Sequence, residues 1–341
     1  MKLATHENAR IGVVGAGSWG TALANLLAEK GYGVDLWVFE TEVCRQIASH
    51  GENRVFLPGV SLSRRLTPST DLSAVAMEKD MILVVVPSHV MRRVGGQLEG
   101  LIDSNTVVVT ASKGIENQTH LTMSGVLADV IPSLSADRLA ALSGPSFAKE
   151  VAQKAPTVVT VACRDLYTAE WVQSVFSTPF FRVYTNTDVI GVELGGAVKN
   201  VIALAAGVID GLGLGLNTRA ALITRGLAEL QRLGAAMGAD PRTLAGIAGV
   251  GDLILTCTGS LSRNHTVGKK LGEGLTLDAI LGEMRMVAEG VKTATSVYNL
   301  SRRLGVEMPI CEEAYRILHE KADPKDAVFR LMTRELKPEL E

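Results

Sequence analysis

Residues 11–20 read I-G-V-V-G-A-G-S-W-G, an apolar run opening onto Gly15-x-Gly17-x-x-Gly20 near the start of the chain. The surroundings of these glycines constrain the fold more than the glycines do. A strand-like run precedes them, a helical run over 18–30 follows, and a second strand-like run over 34–39 ends at Glu40. Strand, glycines, helix, strand and acid in that order form a dinucleotide-binding fingerprint. Gly15 permits the tight turn, Gly17 lets the backbone approach a pyrophosphate, and Gly20 lets the helix lie close on the strand. Free N–H groups at the helix start face the anion. The bland alternative is a glycine-rich turn in some other α/β protein.

Strand and helix continue to alternate through the first half. Strand-like runs fall at 81–86, 106–110, 139–143 and 157–162, with a return at 181–185, and helical patterns occupy 121–130 and 166–176. Such alternation predicts a doubly wound, mostly parallel sheet of Rossmann type with helices on both faces. Ligands of these sheets collect at the carboxyl ends of the strands. Four strand ends there are chemically rich: Gly15-Ala16-Gly17-Ser18, Pro87-Ser88-His89, Ala111-Ser112-Lys113-Gly114 and Ser143-Gly144-Pro145-Ser146. After about Asp188, alanine, leucine, glycine and helical spacing take over. A chain of 341 residues is long for one core, and the expected division is a dinucleotide-binding domain over 1–189 and an all-helical domain over 190–341.

Charge and cysteine usage exclude several classes. The formal net charge is −2, and the arginine doublets 64–65, 92–93 and 302–303 are isolated, which reads as solvated surface and gives no sign of nucleic acid. The four cysteines form no CxxC pair, and no cluster has metal-ligand spacing, so neither a zinc site nor a disulfide framework is expected. A reducing cytoplasm fits this usage. The first ten residues lack a signal-peptide core. The apolar stretch 201–216 contains Asp210 and four glycines, too interrupted for a membrane span.

Two lone charges in the helical half carry the chemistry. Residues 191–208 are apolar nearly all round, which predicts a buried helix, yet Lys199 and Asn200 sit in its middle. Desolvating an ammonium is costly, so such a lysine is snorkelling, ion-paired, or tuned for proton transfer at a cleft. Asp252 is the one charge in 246–258. Lys199 with Asp252 is the economical pairing, and a purely structural buried pair has the same signature. Ser262 reads as the N-cap of a helix over 263–271, with the Arg263 fork suited to phosphate. Lys113 stands at a ligand-side strand end, and His89 reads equally as a proton carrier or a solvated loop residue.

The blocks G-A-G-S-W-G-T-A-L-A (15–24), V-V-V-P-S-H-V (84–90), A-S-K-G (111–114), S-G-P-S-F-A-K-E (143–150), G-G-A-V-K-N-V-I-A (195–203), G-D-L-I-L-T-C (251–257), S-R-N (262–264) and V-A-E-G (287–290) occur in this order. Together they resemble the bacterial NAD(P)-dependent sn-glycerol-3-phosphate dehydrogenase family over about residues 10 to 330. The resemblance implies reversible reduction of dihydroxyacetone phosphate to sn-glycerol 3-phosphate, which supplies glycerophospholipid synthesis. It implies Lys199 as proton donor and acceptor, with Lys113 adding a second positive dipole and Asp252 orienting Lys199. By position, Lys113, Gly144, Ser146, Asp252, Ser262, Arg263 and Asn264 match substrate contacts, with Asn200 and Thr256 as further polar groups nearby. Ser18, Trp19, Lys113, Ala148, Arg263, Val287 and Glu289 match cofactor contacts, beside Gly15, Gly17 and Gly20 of the fingerprint. The family's tendency toward dimers suggests a homodimer.

One position departs from the family. Near the end of the second strand, where Arg or His is common, this chain carries Phe39 followed by Glu40. A carboxylate there accepts bonds from a ribose diol and repels a 2′-phosphate, so NAD is expected over NADP. Two other readings of the chain remain: a 3-hydroxyacid or 3-hydroxyacyl-CoA dehydrogenase of the same architecture, and a non-catalytic dinucleotide sensor.

Overall fold

A computed structural model describes residues 8–284 and 288–339. Eight strands form one sheet: β1 (Ile11–Val14), β2 (Val34–Trp37), β3 (Leu66–Ser69), β4 (Met81–Val84), β5 (Val107–Thr110), β6 (Leu139–Ser143), β7 (Thr157–Cys163) and β8 (Phe181–Asn186). Their spatial order is β3-β2-β1-β4-β5-β6-β7-β8, parallel throughout except between β6 and β7. The expected strands recur with ends shifted by at most two residues: β2, β4 and β5 are shorter than expected, β6 is as expected, and β7 and β8 each run one residue further. β3 was not foreseen, because L-T-P-S is short and carries Pro68. Proline is tolerated there since β3 is an edge strand, bonded only to β2.

Side chains alternate across the strands, and both faces are buried. Val13, Leu83 and Val109 enter one core, while Val14, Val84 and Val108 enter the other. Because β1, β4, β5 and β6 run the same way, their carboxyl ends share one edge. That direction sets the four chemically rich turns side by side.

Beyond β8 the described residues are helical. The helix Val189–Gly211 opens on Asp188, whose carboxylate accepts the Gly191 N–H at 2.8 Å. It is long and apolar enough to cross a membrane, but it lies buried as the axis of the helical core. The helix Arg263–Gly272 packs against it backbone to backbone. A Cβ added at Gly207 would stand 2.1 Å from the His265 carbonyl oxygen, and one at Gly268 would stand 2.0 Å from that of Leu204. Gly211 and Gly272 repeat the device one turn further, with clashes of 2.2 and 2.4 Å against Lys269 and Val208 carbonyls. Two small-xxx-small faces thus fix the depth and register of the S-R-N segment relative to Lys199.

Candidate active site

The fingerprint corner follows from its glycines. Gly15 has φ +116°, and a Cβ there would sit 2.4 Å from the Val85 carbonyl oxygen. A Cβ at Gly20 would sit 2.0 Å from the Gly15 carbonyl oxygen, so helix Ser18–Lys30 rests directly on the turn. Gly17 differs, since a Cβ there would meet nothing within 4 Å. Its bareness serves no contact within the protein and leaves room for a ligand above the helix start. The first helical bond runs from the Thr21 N–H to the Gly17 carbonyl at 2.9 Å, which leaves the amides of Ser18, Trp19 and Gly20 unbonded within the helix. The Trp19 indole nitrogen is also buried without a hydrogen-bond partner among the described residues. These features fit a dinucleotide's pyrophosphate.

Lys199 lies midway along helix Val189–Gly211, and its ammonium donates to Asp252 Oδ1. Lys113, at the carboxyl end of β5, donates to the other oxygen, Oδ2, at 2.7 Å and to the Gly144 carbonyl at 3.1 Å. The expected pair is therefore a triad, with one carboxylate shared between two ammonium groups. Asp252 is 1% exposed, against 8% for Lys199 and 16% for Lys113. A carboxylate so buried requires its partners, and the two lysines supply them. Burial lowers the Lys199 pKa to about 7; Asp252 opposes this and Lys113 reinforces it.

Local devices aim these groups. Asp252 opens helix Asp252–Thr258 directly after a wide π-type turn over Ile247–Gly251. Thr256 holds it from one turn on, its hydroxyl donating to the Asp252 carbonyl at 2.7 Å. Two glycines let the Lys199 helix approach on two sides. A Cβ at Gly195 would stand 2.3 Å from the Ala248 carbonyl oxygen, and one at Gly196 would stand 2.6 Å from the Ser143 hydroxyl and 3.4 Å from the Lys113 stem. Gly144 has φ +138°, and its carbonyl also accepts the Ser146 hydroxyl at 2.9 Å.

The remaining predicted residues border the same place. The Ser262 hydroxyl accepts the His265 N–H at 3.2 Å, the N-cap expected of it, and Arg263 is exposed at the first turn. Asn264 donates to the Asn200 side chain at 2.9 Å and accepts the Gly290 N–H at 3.0 Å. Both polar atoms of its side chain are thus engaged, which leaves its backbone amide at the helix start. Glu289 accepts the Ser88 N–H at 3.1 Å. Burial raises its pKa, opposed by that bond and by the charges of Arg263, Lys113 and Lys199, so it lies in the field of the same cluster. Ala148 opens the helix Ala148–Ala152. Phe39 and Glu40 lie just past β2, which ends at Trp37 rather than at residue 39. Val287 lies outside the described residues. His89 is exposed and makes no hydrogen bond to the lysines.

Sequence reasoning missed Ser143, whose buried hydroxyl has no hydrogen-bond partner among the described residues and faces Gly196 beside Lys113. Its place in S-G-P-S was the available signal. Gly195 and Gly196 were quoted only within the block 195–203, with no role of their own.

Comparison with known proteins gives the family. Residues 10–169 match the NAD-dependent glycerol-3-phosphate dehydrogenase N-terminus, and residues 188–329 match the C-terminus of the same family. The chain is 58% identical to a glycerol-3-phosphate dehydrogenase [NAD(P)+] of Syntrophobacter fumaroxidans, over 97% of each chain. It is 59% identical to the enzyme of that name from Geobacter sulfurreducens, covering 97% of this chain and 98% of that one. The crystal structure of glycerol-3-phosphate dehydrogenase from Coxiella burnetii superposes with a TM-score of 0.92 at 40% identity, covering 96% of this chain and 99% of the other. With both halves matched and the lysine–aspartate triad at their junction, the chain belongs to the NAD-dependent glycerol-3-phosphate dehydrogenase family.

Proposed function

We propose that Lys199 is the proton donor and acceptor in the reversible reduction of dihydroxyacetone phosphate to sn-glycerol 3-phosphate with NAD(P)H. The observation that carries this reading is a buried lysine held by a shared carboxylate, with its pKa brought to about 7. Reduced nicotinamide, when bound, supplies a hydride to the C2 carbonyl carbon. Lys199, as ammonium, stabilises the negative charge developing on the carbonyl oxygen and gives it a proton. In the oxidative direction the neutral amine takes the hydroxyl proton. Lys113 adds positive potential, and Asp252 holds both lysines in place.

The substrate lies among Gly144, Ser146, Asn200 and Thr256. Its phosphate rests on Arg263 and on the helix start formed by Ser262 and Asn264. Anchoring the phosphate fixes C2 relative to the hydride donor. The cofactor lies along Gly15, Gly17, Ser18, Trp19 and Gly20, with Ala148, Val287 and Glu289 toward the nicotinamide and Phe39 and Glu40 toward the adenosine. Exposed Glu40, without an ion-pair partner among the described residues, favours NAD over NADP. The helical half from about residue 190 then serves as the substrate domain, and a cytoplasmic homodimer supplying glycerophospholipid synthesis completes the reading.

The test is spectrophotometric. The protein should oxidise NADH with dihydroxyacetone phosphate and leave 3-oxo acids and 3-oxoacyl-CoA untouched, with a higher kcat/KM for NADH than for NADPH. Turnover of a 3-oxoacyl-CoA in place of the phosphorylated triose would transfer the site to the rival dehydrogenase class.

A further inference from the structure

The doublet Arg92-Arg93, read from sequence as solvated surface, divides into two different residues. Arg92 is engaged: Nε and Nη2 each lie 2.9 Å from a Glu116 carboxylate oxygen, and Nη1 lies 2.5 Å from Asp129. Arg93, next on the short helix Met91–Gly96, is exposed and has no ion pair or hydrogen bond among the described residues. Its guanidinium lies 5.9 Å from the Phe39 ring centroid. That ring is 64% exposed, an unusual state for phenylalanine, and leans edge-on against Trp37 with centroids 6.0 Å apart. Trp37 is in turn fixed by its indole N–H, which donates to the Thr70 carbonyl at 3.1 Å. Glu40 follows Phe39 and is likewise exposed and unpaired among the described residues.

An exposed aromatic ring therefore stands with a free cation beside it and a free carboxylate next in the chain. The group lies beyond β2 and β4, the two strands that flank β1. With the pyrophosphate at the end of β1, this is where the adenosine end of a dinucleotide reaches. Had Arg93 paired with Glu40, the two charges would cancel for any ligand. Kept apart, each is available to a different chemical group. The ring face restrains the guanidinium laterally by a cation–π contact, and the planar fork suits a phosphate monoester.

Resting on the dinucleotide reading above, we propose that Arg93 is a cofactor-selectivity residue, its guanidinium receiving the adenosine 2′-phosphate of NADPH while Glu40 serves the ribose diol of NADH. Glu40 sets the preference, and Arg93 limits how strict that preference is. His89 and Lys292 stand on the same positive side, since Lys292 and Arg93, after burial, both lower the His89 pKa.

Calorimetric titration of the full chain with adenosine 2′,5′-bisphosphate and with ADP-ribose tests this without turnover. In Arg93→Ala the affinity for the bisphosphate should fall relative to ADP-ribose by about tenfold or more, the worth of a charged hydrogen bond. Arg93→Lys should keep part of the difference, since a point charge replaces the fork. Glu40→Gln should shift the same ratio the other way. The kcat/KM ratio of NADPH to NADH should follow the fragment ratio. Equal losses for both fragments in Arg93→Ala, or none for either, would overturn the proposal. If wild-type protein bound neither fragment and failed to oxidise NADH with dihydroxyacetone phosphate, the dinucleotide reading itself would fail, a result separable from failure of Arg93 alone.

Discussion

The glycine corner above β1 and the lysine–aspartate triad are both built by close approach, but of different things. At the corner, Gly15 and Gly20 bring backbone onto backbone within one supersecondary unit. At the triad, Gly195 and Gly196 bring a helix against segments 50 to 80 residues away, so that Asp252, Lys113 and Lys199 can share one buried carboxylate. The first arrangement binds with amides and needs no buried charge. The second holds a buried carboxylate that requires a cationic partner, and two lysines supply one each to its two oxygens. Local geometry thus builds the glycine corner, and long-range geometry builds the buried charge cluster.

Lys199→Ala should break the comparison most severely. It removes the proposed proton donor while leaving Asp252 paired with Lys113, so kcat should fall by about 10²–10⁴-fold with the fold and NADH affinity largely kept. Steady-state kinetics beside circular dichroism check this, and near-normal turnover would end the role of Lys199. Arg263→Ala should raise KM for dihydroxyacetone phosphate by about ten- to a hundredfold, with KM for NADH moving far less. An unchanged substrate KM would remove the phosphate contact.

The pH dependence sharpens the same contrast. With the Lys199 pKa at about 7, the ammonium needed for reduction is present below that value. The reduction kcat should therefore decline as pH rises through about 7, by up to about tenfold per unit, while the oxidation kcat declines as pH falls through it. Nucleotide-fragment affinity at the glycine corner should show no matching inflection. The smallest effect belongs to the helix pair. Gly268→Ala places a methyl 2.0 Å from the Leu204 carbonyl oxygen, which should cost about 1–3 kcal/mol of stability, read as a drop in Tm of several degrees.

Different amounts of these two regions were legible in the chain. The corner was legible because its causes are local: strand period, three glycines and a helix start lie within ten residues. The charges at 199 and 252 announced themselves by their apolar surroundings, and the pairing followed from the cost of leaving either alone. That Lys113 takes the second oxygen of Asp252 was not legible, since nothing in A-S-K-G says which way the side chain turns. β3 was hidden by Pro68, whose tolerance depends on an edge position that only strand order reveals. Asn264 was expected among the substrate contacts, but that its side chain ties Asn200 to Gly290 and leaves only its backbone amide for such a contact was not legible. The arginine doublet at 92–93 looked uniform until Glu116 and Asp129 were found on one member only.

By itself, the sequence determined the class of sheet, the glycine turn at the end of its first strand and the two charges that needed an explanation. Tertiary structure decided which groups share a carboxylate, which arginine has no ion pair among the described residues, and how closely helix Arg263–Gly272 packs on the helix that carries Lys199. The physical reason is range. Backbone preference and hydrophobic period act within a few residues, whereas desolvation of a charge is relieved by whatever group the fold brings near, however distant in the chain.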